Sequence, residues 1–334
     1  MLTNYCIYDC AYCINRRSND LPRATLSVSE LVELTIEFYR RNYIEGLFLS
    51  SGVVRSPDYT MERLVRVAKD LRQVHRFNGY IHLKSIPGAS RELVNEAGLY
   101  ADRLSVNVEI PKEENLKLLA PEKDHKSVFA PMKYIQQGVL ESKEERQKFR
   151  HAPRFAPAGQ STQMIVGATS ESDKDILYLS SALYGRPTMK RVYYSGYVSV
   201  NTYDTRLPAL KQPPLVRENR LYQADWLLRF YQFKVDEIVD DAYPDLDLEI
   251  DPKLSWALRH PEQFPVDINK ADYEMLLRVP GIGVKSAKLI VASRRFSRLG
   301  FYELKKIGVV MKKAQYFITC RELPLQMQTV NELS

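Results

Sequence analysis

The chain has 334 residues, of which 45% are hydrophobic and 27% charged, a composition typical of a soluble globular protein with one large and one smaller domain. It contains no run of about 18 apolar residues, so no membrane-spanning helix is expected. Its first residues include three cysteines and an aspartate, unlike a secretory signal peptide. We therefore predict a cytoplasmic protein, in which clustered thiols more often bind metal or serve catalysis than form disulfides.

The net charge of +7 is concentrated at the C-terminal end of the chain. Residues 253–322 contain 14 lysines and arginines against 6 aspartates and glutamates, a balance of +8, so the remainder has a balance of −1. Such an asymmetry favours contact between this end and a polyanion. On charge alone, a solvated basic surface is an equally good explanation.

Three of the four cysteines lie within eight residues near the start of the chain, in the segment NYCIYDCAYCINRR. Cys6, Cys10 and Cys13 have the spacing C-x3-C-x2-C, and cysteine thiolates hold zinc or iron–sulfur clusters. A closed zinc site needs a fourth ligand, which a histidine distant in sequence would have to provide. Three thiolates on a four-iron cluster leave one iron open to a substrate or cofactor, and we favour this interpretation.

Strand-like and helix-like segments alternate from the cysteines to about residue 235. The first helix is predicted in LSVSELVELTIEFYRR, where Ser27 and Glu30 have the spacing of a capping box. GLFLS then predicts a buried strand, and TMERLVRVAKDLRQVH predicts an amphipathic helix. Later strands are predicted in YIHLKSI, RLSVNVEI, TQMIVG and KRVYYSGYVSV, and a helix in SESDKDILYLSSALYG. This alternation favours an α/β fold with a parallel sheet, barrel-like or doubly wound, whose chemistry lies at the C-terminal strand ends.

Two segments interrupt the alternation. Residues 136–160 are polar and basic and contain prolines, which predicts a surface loop, with a lid or binding segment as the alternative. The acidic segment DDAYPDLDLEIDPKL predicts a domain boundary. We therefore predict one domain at 1–240, a second at 253–322, and a frayed tail at 323–334.

The C-terminal domain contains an internal repeat. At one constant offset, four residues recur in its second half: Leu277, Gly281, Lys285 and Ala287 match Leu304, Gly308, Lys312 and Ala314. Cys320 aligns with Ser293 of the first half. We expect Cys320 on the inner side of a helix as a small buried side chain, with a role as fourth cluster ligand as the alternative.

The cysteine spacing, with the aromatic Tyr12 before the last cysteine, resembles the signature of the radical S-adenosylmethionine (SAM) superfamily. The resemblance covers residues 1 to about 235. It implies a partial (βα)6 TIM-like barrel in which Cys6, Cys10 and Cys13 hold a [4Fe–4S] cluster and SAM chelates the open iron. One electron then cleaves SAM to a 5′-deoxyadenosyl radical that abstracts hydrogen from the substrate. Five residues precede Cys6, so the family's usual leading segment is either shortened or dispensable here.

The resemblance also implies a set of cofactor-binding residues from several segments: Tyr12, Ser50, Ser51, Gly52, Asn107, Glu109 and Gly167. The segment SSGVVRSP takes the place of a glycine-rich segment, although the usual GGEP-type sequence is absent. Asn107 and Glu109 alternate on one face of a predicted strand, with a surface pair on an edge strand as the alternative. Gly167 would allow close approach of the adenine.

The segment VPGIGVKSAKLI resembles the helix-hairpin-helix motif, which implies contact with the backbone of duplex DNA without reading of its sequence. Gly281 and Gly283 are expected to adopt conformations closed to other residues, and to let backbone N–H groups approach a phosphate. Lys285 and Lys288 would add positive charge. The second half has Val310 in place of the second glycine and is expected to be mainly a packing partner. A helical module that docks protein is the alternative.

Three segments, LTNYCIYDCAYCINRRSND, RLSVNVEIP and RLYQADWLLRFYQF, together with this motif, resemble a family of radical SAM proteins assigned to DNA modification or repair. The resemblance implies an enzyme that modifies or repairs a nucleotide in DNA. Its implied partners are duplex DNA, an electron donor such as flavodoxin or ferredoxin, and a uracil-DNA-glycosylase-like protein. A radical SAM enzyme acting on tRNA and a non-catalytic iron–sulfur DNA-binding protein are the alternatives.

Overall fold

The structure is a computed structural model that describes residues 1–322, so the predicted tail at 323–334 lies outside the described residues. The chain divides into two compact units. The N-terminal unit comprises Met1–Glu171 and Ala182–Leu215, and the C-terminal unit comprises Ser172–Ser181 and the chain from Val216 onward. The second unit thus begins before the acidic linker, and the functional domains at 1–240 and 253–322 stay a prediction.

Parallel strands and crossover helices build the N-terminal unit, as the alternation in the sequence predicts. The helices are α1 (Val28–Arg40), α2 (Pro57–Gln73), α3 (Arg91–Tyr100), α4 (Glu113–Leu119) and α5 (His125–Lys148), and α6 (Asp173–Tyr184) has residues in both units. The strands are β1 (Gly46–Leu49), β2 (Tyr80–Lys84), β3 (Arg103–Ser105), β4 (Gln160–Val166) and β5 (Met189–Gly196). They pair in chain order, and every pair is parallel.

Local signals fix where the first helices begin. The hydroxyl of Ser27 accepts the Glu30 backbone N–H at 3.2 Å, and the Glu30 carboxylate accepts the Ser27 N–H at 2.7 Å. The predicted capping box is therefore confirmed, and it satisfies two N–H groups that the first turn would leave unpaired. At α2 the Ser56 hydroxyl accepts the Tyr59 backbone N–H at 3.1 Å, and Pro57 takes the first helical position.

The two sides of the sheet differ in chemistry. Toward the helices it presents fully buried aliphatic side chains, including Leu49, Ile81, Leu83 and Leu104. Residues that pair across parallel strands point to the same side of the sheet. The register therefore shows which residues lie together on the side that faces away from the helices. We call this side the polar face, and it carries Phe48, Tyr80, His82, Lys84, Arg103, Ser105, Ser161 and Tyr193.

Three details of the N-terminal unit differ from the predictions. Helix α5 continues to Lys148, so only residues 149–159 of the predicted loop are irregular. Strand β3 ends at Ser105, and the chain then bends to a positive φ of 65° at Glu109. Within residues 1–322 the sheet of the N-terminal unit has five strands, and the residues ahead of Cys6, where a (βα)6 barrel implies a further strand, form irregular backbone beside β1. There, Leu2 N–H donates to Ser50 O at 2.9 Å.

The C-terminal unit is mainly helical. Its helices are α7 (Leu215–Phe230), whose first residue belongs to the N-terminal unit, α8 (Val235–Ile238), α9 (Pro252–Arg259), α10 (Tyr273–Arg278), α11 (Val284–Ser293), α12 (Phe301–Ile307) and α13 (Met311–Ala314). A two-stranded parallel pair, β6 (Val266–Asp267) and β7 (Ile318–Thr319), adds to the predicted helices. Cys320 follows β7 in extended backbone and is half-buried, so its predicted place on a helix is wrong. Among the described helices, none is long and apolar enough to cross a membrane.

Candidate active site and nucleic-acid interface

The three clustered cysteines line one cavity of about 170 Å³ at the C-terminal ends of β1, β2 and β3. Cys10 is buried, whereas Cys6 and Cys13 are half-buried. Backbone contacts hold their loop in place, because Val53 N–H donates to Cys6 Sγ at 3.3 Å and Ala11 N–H donates to Leu119 O at 2.6 Å. The loop thus presents all three thiols to the same cavity.

The arrangement of the thiols discriminates between a single metal ion and a cluster. In the part of the chain that the structure describes, no three Cys, His, Asp or Glu side chains are arranged to hold one metal ion. A zinc ion would require its sulfur ligands to converge within about 2.3 Å of one point. Thiols that surround a cavity instead suit a cluster whose iron atoms each take a separate thiolate. The residues therefore fit an iron–sulfur cluster better than the zinc alternative.

A buried ion pair network anchors the loop after the last cysteine. Arg16 is buried and donates to Asp9 at 2.9 Å and to Asp204 at 2.6 Å. Hydrogen bonds from Arg16 hold the pKa of Asp9 well below its usual value, and those from Arg206 and Arg16 do the same for Asp204. Both carboxylates therefore remain charged at neutral pH, and the network fixes the position of the cysteine loop.

Most residues predicted to contact SAM line the cavity of the cysteines. These residues come from three segments of the chain: Tyr12, Ser50, Ser51, Gly52, Asn107 and Glu109. Gly167 is not among the lining residues. Its φ of 84°, in the turn after β4, accounts for the glycine, and a Cβ there would lie 3.0 Å from Pro214 Cγ. The structure therefore brings together six of the seven, and their contact with SAM stays a prediction.

The sequence does not indicate how Gly52 and the segment after β3 come to line the cavity. A Cβ on Gly52 would overlap the carbonyl oxygen of Tyr5, so only glycine lets this segment pack against the cysteine loop. Asn107 and Glu109 were predicted on a regular strand, which is wrong because β3 ends earlier. They face the cavity because the bent segment hydrogen-bonds to β4, where Glu109 N–H donates to Gln163 O at 3.0 Å.

The two glycines of the first hairpin have different roles. Gly281 has a φ of 88°, and a Cβ there would lie 2.6 Å from Val310 O, so this position requires glycine. Gly283 has a φ of −93°, which any residue adopts, and a Cβ there would meet only the Tyr231 hydroxyl at 3.5 Å. The predicted special conformation of Gly283 is therefore wrong. Because Gly283 has no side chain, the space at the start of α11 is open.

Exposed lysines follow the first hairpin. Lys285 and Lys288 lie on α11 and are both exposed to solvent. The second hairpin contacts the first, since Val310 N–H donates to Gly281 O at 2.9 Å. There, Lys312 is exposed, whereas Lys313 forms an ion pair of 2.6 Å with Asp251. The contact with Gly281 agrees with a packing role for the second hairpin.

Two family models match the chain. Residues 1–139 match the radical SAM superfamily, and residues 262–318 match the helix-hairpin-helix motif. The chain therefore contains a radical SAM domain and a helix-hairpin-helix motif. Members of the superfamily are enzymes that use a [4Fe–4S] cluster and SAM, so the predicted enzyme class and both cofactors are confirmed at the level of the family. No curated protein matches the chain in sequence.

Two solved structures similar to this chain are HydG, described as a maturase of the [FeFe]-hydrogenase. One has 14% identity and a TM-score of 0.51, and covers 68% of this chain and 48% of its own. The other, from Carboxydothermus hydrogenoformans, has 13% identity and a TM-score of 0.39, and covers 87% of this chain and 80% of its own. The first match shows the fold alone, and the present chain spans about half the length of that structure.

A lysine that the sequence analysis missed lies in the wall of the radical SAM cavity. Lys123 Nζ is 3.6 Å from the Glu109 carboxylate and 3.4 Å from the Tyr12 hydroxyl. Burial alone would lower the pKa of Lys123, but Tyr12, Cys10 and Glu109 together raise it well above its usual value. The cavity wall therefore contains a charged lysine that is paired with Glu109. Lys123 belongs to no recognisable motif, so nothing in the sequence identifies it.

Burial also affects two of the cysteine thiols. It raises the pKa of Cys10 to about 11, a shift that the nearby charge of Lys123 opposes. It raises the pKa of Cys13 as well. In metal-free protein both side chains are therefore protonated at neutral pH, so binding of iron must release protons from them.

The polar face adjoins the cavity, because Lys84 belongs to both. Three aromatic side chains on this face are unusually exposed, with exposed fractions of 61% for Phe48, 44% for Tyr80 and 39% for Tyr193. Burial, with the charges of Arg103 and Lys84, lowers the pKa of His82 to about 4, so this histidine is neutral at pH 7. Arg191, which pairs in register with Ser161, lies on the same face as Lys84 and Arg103. The face therefore combines exposed rings with cations.

Buried hydroxyl groups lie at the same end of the sheet. Ser85, in the cavity wall, and Ser161, on the polar face, are each 1% exposed. Within residues 1–322 neither hydroxyl has a hydrogen-bond partner. A buried polar group without a partner is costly, and it commonly marks a position that a ligand or water fills.

Proposed function

We propose that this protein is a radical SAM enzyme that modifies or repairs a nucleotide in DNA. The observation that carries this proposal is the polar face beside the cysteine cavity, which carries both exposed aromatic rings and cations. Aromatic rings stack on nucleobases of any sequence, and lysine or arginine pairs with phosphate. A substrate without bases or phosphates would contact neither the rings nor the cations in this way.

Each group of residues has a role in this function. Cys6, Cys10 and Cys13 would hold the cluster, which, when bound, supplies the electron that cleaves SAM and so starts hydrogen abstraction from the substrate. The ammonium of Lys123 would attract the carboxylate of SAM or keep Glu109 in position beside it. The cavity wall places Asn107 in the same space as the thiols.

The polar face would orient the nucleotide toward this space. Phe48, Tyr80 and Tyr193 would stack against bases, while Lys84 and Arg103 would contact phosphate. The hydroxyl of Ser85, which has no partner within residues 1–322, would take a hydrogen bond from the bound group. Neutral His82 hydrogen-bonds to Ser105 at 2.9 Å and would keep the centre of the face rigid.

The C-terminal unit supports DNA as the nucleic acid. Its helix-hairpin-helix motif and its balance of +8 suit contact with phosphates, which supplies affinity that does not depend on sequence. An electron donor such as flavodoxin or ferredoxin would reduce the cluster. A uracil-DNA-glycosylase-like partner and a cytoplasmic location stay predictions from the sequence.

The test uses full-length protein, reconstituted with iron and sulfide without oxygen and reduced with dithionite. It is incubated with SAM and with undamaged DNA, damaged DNA or tRNA, and nucleosides and SAM products are analysed by mass spectrometry. We expect SAM cleavage and a changed nucleoside in DNA, and neither with Cys10→Ala. A changed nucleoside in tRNA alone would establish the RNA alternative. Failure of the loaded protein to cleave SAM would establish the non-catalytic alternative.

A further inference from the structure

A second pocket lies in the C-terminal unit, between the end of α7 and the start of α9. It has a volume of about 280 Å³, and Gln223, Trp226, Tyr231 and Lys253 contribute to its wall. None of these residues takes part in the radical SAM site, and none belongs to the segment VPGIGVKSAKLI. Neither the radical SAM site nor the hairpin segment therefore accounts for this pocket.

The exposure of Trp226 is the first unusual feature of this pocket. Its side chain is 49% exposed, and its ring lies 4.4 Å from that of Phe230, which is also exposed. The other tryptophan of the chain, Trp256, is only 4% exposed. A paired aromatic surface in water is costly unless it serves binding, so the pair indicates a ligand with an apolar, flat surface.

Hydrogen bonds tie the pocket wall to the backbone of the first hairpin. Lys253 Nζ donates to Ile282 O at 2.6 Å and lies 4.7 Å from the centre of the Tyr231 ring. The Tyr231 hydroxyl accepts the backbone N–H of Val284, the first residue of α11. The pocket and the open space at Gly283 are therefore neighbours, with the Tyr231 hydroxyl at 3.5 Å from a Cβ built on Gly283.

We propose that this pocket receives an unpaired nucleobase from the strand whose backbone the first hairpin binds. The inference rests on the proposed nucleic-acid function of that hairpin. A phosphate at the start of α11 places its own nucleotide beside the pocket, where the indole of Trp226 stacks on the base. The amide of Gln223 provides both a donor and an acceptor for the edge of the base.

The charge around the pocket suits this occupant. Asp251, the one acid in the pocket wall, is paired with Lys313 at 2.6 Å, so it does not repel a polyanion. Lys285 and Lys288 lie on the adjoining helix and are exposed. Stacking on an aromatic ring depends little on which base is stacked. The pocket would therefore accept any unpaired base.

The experiment compares two DNA duplexes of equal length with the full-length protein, one fully paired and one with a single unpaired base. We expect about tenfold tighter binding of the second duplex, measured by fluorescence anisotropy, because stacking adds affinity that a paired base cannot provide. Trp226→Ala should abolish this preference and leave affinity for the paired duplex unchanged. Trp226→Phe should keep part of the preference.

Two controls separate this inference from the proposed function. Lys285→Ala should weaken binding of both duplexes by the same factor, and Tyr302→Ala, at an exposed ring of α12, should leave the preference intact. Equal affinity of the unchanged protein for both duplexes would overturn the base pocket alone. Absence of binding to either duplex would overturn the proposed DNA function together with it.

Tryptophan fluorescence provides an independent measurement, since Trp226 is the exposed one of only two tryptophans. We expect quenching by the duplex with the unpaired base, little quenching by the paired duplex, and none in Trp226→Phe. Quenching that depends on protein concentration without DNA would assign the pocket to contact between copies of the chain, and would overturn the proposal.

Discussion

The ammonium group of Lys123 lies 3.6 Å from the carboxylate of Glu109, and both side chains are nearly buried in the wall of the cysteine cavity. Removal of one member leaves the other without its partner at low exposure, which typically costs about 3 kcal/mol. We therefore expect Lys123→Met to lower the free energy of unfolding by about 3 kcal/mol and to weaken SAM binding. Chemical denaturation and calorimetric titration measure the two effects.

A matched control is available for this prediction. Lys117 forms an exposed ion pair with Glu113 on α4, at 3.2 Å, so Lys117→Met should have little effect on stability or on SAM binding. Similar losses from Lys117→Met and Lys123→Met would show that the buried position of Lys123 has no special role.

The second prediction concerns the cluster ligands. Cys10→Ala should remove most of the iron and sulfide from anaerobically reconstituted protein, because each of the three thiolates is needed to hold the cluster. Cys320→Ala should retain both, since Cys320 lies in the C-terminal unit beyond β7. Iron and sulfide analysis with the visible absorption spectrum decides the matter. Loss of the cluster in Cys320→Ala, with retention in Cys10→Ala, would disprove the assignment.

Much of the fold could be predicted from the sequence because local signals and tertiary packing agree there. Ser27 and Glu30 form the capping box that their spacing predicts, and the strand segments pair in parallel. The prediction fails at residues 136–148, where a charged run with few apolar residues was interpreted as a loop. That segment is helical because it extends α5, and its buried positions, such as Val139, are too sparse to give a clear period.

In the candidate site, too, some residues could be predicted from the sequence and others could not. Cys6, Cys10 and Cys13 could be identified because all three lie within one short motif. Lys123 could not, because its contact with Tyr12 joins positions 111 residues apart, and only the folded chain brings them together. The chain around Glu109 bends out of its strand to reach the same wall, a change that strand periodicity does not encode.

The third prediction concerns pH and His82. Its pKa falls from 6.5 to about 4 in the folded protein, so the unfolded chain binds the proton more tightly. The stability that depends on neutral His82 is therefore fully present above pH 6.5 and is lost as the pH falls toward 4. The full difference would be about 3 kcal/mol, and the partial exposure of the ring reduces it to about 1–2 kcal/mol.

Chemical denaturation between pH 7 and pH 4 tests this prediction. His82→Gln should flatten the pH dependence in this range relative to the unchanged protein. His75→Gln, at an exposed position after α2, is the control and should leave the dependence as it is. An NMR titration that places the pKa of His82 above 6 would contradict the proposed environment.

The fourth prediction separates the two glycines of the first hairpin. Gly281→Ala should destabilise the C-terminal unit by about 2 kcal/mol, because the residue has a positive φ and its Cβ would press on Val310 O. Gly283→Ala should change stability little, since its φ is ordinary and the space is open. If a phosphate approaches this position, Gly283→Ala should still weaken DNA binding. A stable Gly283→Ala variant with undiminished DNA affinity would disprove close approach of the backbone there.

The last prediction connects the exposed lysines to salt dependence. DNA binding by full-length protein should weaken steeply with salt, because each phosphate contact contributes about −0.9 to the slope of log K against log salt concentration. Lys285→Ala should therefore make the slope shallower by about 1. Lys312→Ala should change it less, because the second hairpin has Val310 where the first has Gly283. Anisotropy titrations at several salt concentrations measure the slopes. Equal changes in both variants would show that both hairpins hold DNA, and unchanged slopes would remove Lys285 from the interface.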